Sequence, residues 1–229
     1  MKRIGLLGGM SWESSALYYE IINRTVREQL GGLHSARCLL ASVDFADVER
    51  MQVEGRWEDA GRLLADEARG LQRAGADLIV LCTNTMHKVA DAIEQAVDIP
   101  LLHLADVTAT AVLDARVDRV ALLGTAFTME QPFLRDRLGR RGLDVLVPGP
   151  DDRALIHHVI YDELVLGRVR EESRRAYAGV IQRLVASGAE GVILGCTEIE
   201  LLIDQTSSPV PVFPTTRLHA EAAVDAALR

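Results

Sequence analysis

The feature that most constrains this chain is an internal echo. Three segments of the first half return in the same order in the second: RIGLLGGM at residues 3–10 and RVALLGTA at 119–126, LIVLCTNTM at 78–86 and GVILGCTEI at 191–199, IPLLHLADVTATAV at 99–112 and VPVFPTTRLHAEAA at 210–223. The spacing between partners drifts by only a few residues, so the two halves keep register. A repeated unit changes how every motif inside it is read. The middle pair is the most telling, because AGAD or SGAE precedes an apolar run that ends each time in a small polar cluster.

Short runs of Val, Ile and Leu alternate with longer stretches of helical period, the pattern of parallel strands buried on both faces and joined by crossover helices. The chain is α/β. Strands are predicted at residues 3–8, 38–45, 78–82, 99–104, 119–124, 144–147, 192–195 and 210–213, and helices at 13–30, 56–73, 85–96, 105–115, 129–139, 154–166, 171–187 and 216–228. The repeat groups them into two pseudo-symmetric lobes, residues 1–98 with 214–229 and residues 99–213, each a mainly parallel sheet flanked by helices. Ligands of open parallel sheets bind beyond the carboxyl ends of strands. The expected active site is therefore a cleft where the polar strand tips of the two lobes meet.

Composition removes several alternatives. There are 25 Lys and Arg against 33 Asp and Glu, a formal charge of −8, and no basic run that would neutralise phosphates, so nucleic acid is not an expected partner. IGLLGGM is broken by glycine and followed at once by SWES, too short and polar for a signal peptide or a membrane span. A soluble, cytoplasmic protein is expected. The cysteines, Cys38, Cys82 and Cys196, are three, widely spaced and never CxxC, which suits neither a disulfide framework nor zinc. The lysines are Lys2 and Lys88, leaving little from which to build a pyridoxal phosphate Schiff base. His34, His87, His103, His157, His158 and His219 lack metal spacing, and the adjacent pair 157–158 would diverge on a helix into solvated or capping roles. IGLLGGMS matches neither dinucleotide nor P-loop patterns. No metal and no cofactor are expected.

The chemistry concentrates at the two tips. In GCTE, Cys196 directly follows a buried strand, and Thr197 and Glu198 open a helix whose free N–H groups and dipole would lower the thiol pKa from about 8.5. A reactive thiolate is expected there. Aligned on the middle repeat, Thr83 stands where Cys196 stands, and Cys82 where Gly195 stands. Successive strand side chains point to opposite faces, so Cys82 is expected to be a packed core thiol turned away from the direction of Thr83.

These residues carry a resemblance. IGLLGGMSWES at 4–14, GGLHSA at 31–36, SVDF at 42–45, GLQRAGA at 70–76, IVLCTNTMHKVADAIE at 79–94, LLGT with TMEQ at 122–125 and 128–131, and GCTEI at 195–199 resemble the aspartate/glutamate racemase family, closest to its L-aspartate/glutamate-specific subgroup. The resemblance implies PLP-independent racemisation by two pseudo-symmetric lobes, each offering one catalytic residue from CNT and GCT motifs. This chain departs from the pattern, since Thr83-Asn84-Thr85 stands where CNT is expected.

Racemisation needs one group to take the α-proton from one face and another to return a proton to the opposite face. The resemblance implies Cys196 as the base toward the L-amino acid and Thr83, or water held by it, on the other side, with turnover biased to L substrates. It further implies substrate contacts from Met10, Gln52, Asn84, Thr85, Thr125, Thr128, Thr197 and Glu198. Free N–H groups at helix openings would hold the substrate carboxylate. The helix ending ELVLG, 163–167, lacks the lysine commonly found there, leaving Arg50 or Arg168 as cations for an acidic side chain. A small-molecule amino-acid substrate and a homodimer are implied. One unpaired cysteine also suits a dicarboxylate decarboxylase or isomerase of the same superfamily, or a catalytically silent amino-acid-binding protein.

Overall fold

A computed structural model describes residues 1–229. They form two compact units, Met1–Leu104 with His219–Arg229, and Ala105–Leu218. Each contains one parallel four-stranded sheet with helices packed on it, as the repeat predicts.

The first unit runs β1 (Ile4–Gly8), α1 (Trp12–Leu30), β2 (Cys38–Ser42), α2 (Phe45–Val53), α3 (Trp57–Arg73), β3 (Leu78–Leu81), α4 (Ala90–Glu94) and β4 (Leu101–Leu102), with strand order β2-β1-β3-β4. The central strands β1 and β3 are buried along their whole length, because helices cover both faces. Strand alternation sorts their side chains. Ile4, Leu6, Leu78 and Val80 pack with Tyr18 and Ile22 of α1 and with Ala220 and Val224 near the C-terminus. Leu7, Ile79 and Leu81 pack on the other face with Leu64 and Ala68 of α3.

The second unit is entered through α5 (Leu104–Asp114) and holds β5 (Arg119–Gly124), α6 (Ala126–Glu130), α7 (Pro132–Arg140), β6 (Asp144–Leu146), α8 (Pro150–Asp162), α9 (Glu171–Ala186), β7 (Gly191–Gly195) and β8 (Val212–Pro214). Strand order is β6-β5-β7-β8, the same topology as the first sheet. The chain returns to the first unit along α10 (Thr215–Leu228).

Several local expectations change. The expected boundary between residues 98 and 99 lies instead after Leu104, because β4 joins the first sheet, pairing Leu101 with Ile79 and Leu102 with Val80. Residues 45–53 form a helix that the sequence reading left out, capped by Asp44 accepting from the Ala46 N–H at 3.0 Å. The single helix expected at 129–139 is two, since Pro132 has no N–H to continue α6 and instead starts α7. The helix expected at 85–96 begins as a 3-10 turn, Thr85–Val89, before α4.

The sheet registers carry the repeat down to single residues. Leu7 pairs with Leu81 in the first sheet and Leu123 with Leu194 in the second. Leu7 and Leu123 occupy the same place in RIGLLGGM and RVALLGTA, so Leu81 and Leu194 are equivalent. The next step equates Cys82, whose N–H donates to the Leu7 carbonyl at 2.9 Å, with Gly195, the last residue of β7. One residue further, Thr83 is equivalent to Cys196.

Candidate active site

At the first tip, Cys82 is 0% exposed and sits in the α1 face of the sheet beside Val80, its thiol 3.6 Å from the Val80 carbonyl. Burial, and secondarily Cys38, push this thiol far above its ordinary pKa. It is a core residue of the first unit, as expected. The chain then turns sharply, the Thr83 N–H donating back to the Leu81 carbonyl at 2.9 Å, and Thr83 is only half-buried.

Two side chains, Ser14 and His87, hold this turn directly. The Ser14 hydroxyl donates to the Cys82 carbonyl at 3.3 Å, and Ser15 accepts from the Gly9 N–H at 2.8 Å. Ser11 caps α1 by accepting from the Ser14 N–H at 3.2 Å, so the serines of SWESS brace the tip from behind. Gly9 has φ +95°, and any Cβ there would run into the backbone of Val43, so the GGM loop depends on glycine. His87 is buried with Nδ1 2.7 Å from the Thr83 carbonyl, while its Nε2 accepts from the Leu104 N–H at 3.2 Å. A carbonyl only accepts, so Nδ1 carries the proton and the ring is neutral. The sequence reading allowed His87 to assist Thr83; the contact goes to the backbone of Thr83.

Asn84 and Met10 are buried beside this turn, and Thr85 opens the short 3-10 helix. Gln52 projects from α2, its Nε2 donating to the Met86 sulfur at 2.9 Å.

At the second tip, Cys196 directly follows β7 and is 9% exposed. It lies on the sheet face covered by α8 and α9, with Ile156, Tyr177 and Ile181 in the same cluster. Its thiol donates to Glu198 Oε2 at 2.8 Å. The expected lowered pKa is corrected here. Burial first, then the charge and hydrogen bond of Glu198, raise the thiol well above its ordinary value, outweighing the backbone N–H groups of Glu198 and Ile199 that pull it down. The reason is local: the element after Cys196 is a five-residue 3-10 turn, Thr197–Leu201, with little dipole to offer, and it presents a carboxylate to the sulfur.

Thr197 is anchored by the hydroxyl of Thr216, 3.0 Å away, and the Thr215 hydroxyl donates to the Leu194 carbonyl at 2.8 Å. These two threonines were missed, although the third repeat pair, ending in FPTT, marks them as part of the same tip. Thr125 caps α6, accepting from the Thr128 N–H at 3.4 Å with the two hydroxyls 3.2 Å apart. Thr128 is fully buried, and its methyl fills the space above Gly124 and Gly195, where an added Cβ would stand 2.9 and 3.2 Å from it. His157 Nδ1 accepts from the Ala126 N–H at 3.3 Å, the capping role expected of it. Among the cations considered for a side-chain carboxylate, Arg50 pairs with Asp47 at 2.5 Å on the surface and Arg168 is exposed. Lys88 lies 3.7 Å from the centroid of the Trp57 ring.

The comparisons agree with this fold. The sequence model of the Asp/Glu/Hydantoin racemase family matches residues 7–223. The broad specificity amino-acid racemase RacX of Bacillus subtilis (strain 168) is 22% identical over 170 residues, 73% of this chain and 72% of that protein. A crystal structure of a candidate Asp/Glu racemase from Yersinia pestis superposes with a TM-score of 0.96 at 52% identity, covering 100% of both chains. That of an aspartate racemase homologue from Pyrococcus horikoshii OT3 gives 0.90 at 32%, again over 100% of both chains. With a family match spanning most of its length and the paired sheets that go with it, this chain belongs to the Asp/Glu/Hydantoin racemase family.

Proposed function

We propose that the protein racemises acidic amino acids, L-aspartate and L-glutamate, without a cofactor. Cys196, once its thiol has been deprotonated, takes the α-proton of the L-substrate. Thr83, or a water it holds, returns a proton to the opposite face. Met10, Gln52, Asn84, Thr85, Thr125, Thr128, Thr197 and Glu198 then line the substrate site, and the protein works in the cytoplasm as a homodimer.

The observation that carries this reading is the equivalence of Thr83 and Cys196 in two sheets of the same register, while Cys82 is packed in a core. Cys196 directly follows β7 and Thr83 stands two residues past β3, so each lies just beyond the carboxyl end of a central strand. Their chemistry is unequal, because a thiol is a far better base near neutral pH than an aliphatic hydroxyl. That inequality makes the two directions unequal as well.

The test is deuterium incorporation at Cα in heavy water, followed by NMR, with the two enantiomers of aspartate and glutamate supplied separately. Fast exchange from the L form and slow exchange from the D form is the expected result. Equal catalytic efficiency from both enantiomers contradicts the assignment of unlike bases. Turnover of maleate or an arylmalonate without Cα exchange contradicts racemisation itself.

A further inference from the structure

We infer that Glu198, besides lining the proposed substrate site, serves the thiol: it is the acceptor that clears the proton from Cys196 between turnovers. The inference rests on the proposed role of Cys196 and assigns Glu198 a task beyond the substrate contact implied by resemblance.

Proton balance creates the need. In the L to D direction the Cα–H bond breaks and an S–H bond forms on Cys196, while on the other face an O–H bond breaks and a new Cα–H bond forms. The enzyme is left with a protonated thiol on one face and, on the other, an oxygen that has given up its proton and regains one from solvent. Before the next substrate can react, the S–H bond must break and its proton must reach an acceptor and then solvent. Cys196 is enclosed, so bulk water has little access to the sulfur. An acceptor is built in, Glu198 Oε2 at 2.8 Å from the sulfur. A carboxylate that receives a proton from the sulfur and passes it outward fits the half-buried position of Glu198 on its 3-10 turn.

Few other groups face this pair. Burial first, then Cys196 and Glu163, raise the pKa of Tyr177 of α9, but its hydroxyl already donates to the Ile156 carbonyl at 3.0 Å. Glu163, at the end of α8, is held by the Ser173 hydroxyl at 2.5 Å and by Arg170 at 3.4 Å. On the same turn as Glu198, Glu200 accepts from the backbone N–H groups of Thr216 and Arg217 at the start of α10, and its Oε1 is buried without a partner. Burial and the charge of Glu198 lift Glu200 to about 7 against the pull of Arg217, so it can carry a proton near neutrality. Glu198 therefore bonds the thiol and is within electrostatic reach of a second carboxyl.

The experiment measures two quantities on the full chain, parent, Glu198→Gln and Glu198→Asp. The first is the pH profile of Cys196 alkylation by iodoacetamide, read by mass spectrometry of the Cys196 peptide. The second is Cα exchange of L-aspartate in heavy water. Removing the Glu198 charge removes a cause of the raised thiol pKa, so Glu198→Gln is expected to shift alkylation to lower pH by about one unit. Exchange is expected to fall about tenfold or more in the same variant, because the amide cannot accept the proton. Thiolate becomes easier to form while turnover slows, an opposition that a merely structural role does not produce. Glu198→Asp, which keeps the carboxylate, is expected to retain more exchange than Glu198→Gln and guards against misreading a folding defect. An unmoved alkylation profile, or exchange within twofold of the parent in Glu198→Gln, overturns the inference. Absence of exchange in the parent identifies a failure of the racemase reading, and the inference falls with it.

Discussion

Replacing His219 with Gln should flatten the pH dependence of stability between about pH 7.5 and pH 5. His219 is 0% exposed, its Nε2–H donating to the Leu102 carbonyl at 2.8 Å and its Nδ1 accepting from the Tyr18 hydroxyl at 2.8 Å. A protonated ring would have to donate from Nδ1 as well, against the Tyr18 hydroxyl and beside the ring of His87. Burial accordingly holds its pKa at about 4, the Leu102 carbonyl offsetting only part of the effect. In the unfolded chain a histidine titrates near about 6.5. The folded pKa is the lower of the two, so between these values the unfolded state binds the extra proton. Stability from this group is complete above the unfolded pKa and is lost as pH falls toward the folded one, at ~1.4 kcal/mol per pH unit. The full loss is about 3 kcal/mol, of which about 2 kcal/mol is gone at pH 5. Gln offers a donor and an acceptor but does not titrate. Urea unfolding of parent and variant across this pH range gives the assay. The variant should be the less stable at pH 7.5, from lost packing, and the gap should close by about 2 kcal/mol on going to pH 5. A gap that stays constant with pH refutes the claim that the ring is locked neutral.

Three further outcomes are expected, two of them at the tips. His87→Ala leaves the Thr83 carbonyl and the Leu104 N–H without their partner; it should cost about 1–3 kcal/mol in thermal unfolding and slow Cα exchange, while Cys196 alkylation stays unchanged. Gly195→Ala places a Cβ 2.9 Å from the Leu123 carbonyl, backbone that cannot give way, and should destabilise by about 1–3 kcal/mol. Gly139→Ala on α7, where nothing lies within 4 Å, should instead raise the melting temperature, as expected for a gain of up to about 1 kcal/mol in helix propensity.

The parallel sheets were legible because their central strands are apolar on both faces, and the repeat was legible because both halves end such strands in polar residues. The strand order β2-β1-β3-β4 recurring as β6-β5-β7-β8 gives that repeat its structural meaning. Short elements were less legible: β4 is two residues long, and its pairing, not its composition, assigns it to the first sheet. The Cys82 position was readable from the repeat and strand alternation together, and Leu78 and Val80 share its face. The state of Cys196 was not. A strand followed by a helix suggests a lowered pKa, but the turn proved to be a short 3-10 element, and the side chain that decides the matter, Glu198, bends back onto the sulfur only in three dimensions. The bracing by Ser14, Ser15 and Thr216 was likewise hidden, because serine and threonine of that type usually mark helix caps.

The most direct test of the account compares Cα exchange of L-aspartate in Cys82→Ala and Cys196→Ala, each checked for folding by its thermal transition. The account predicts that Cys196→Ala abolishes exchange in a folded protein, whereas Cys82→Ala keeps it within a few-fold of the parent and loses only stability from the core of the first unit. Exchange that survives loss of Cys196, or that disappears with Cys82 in a protein still folded, contradicts it.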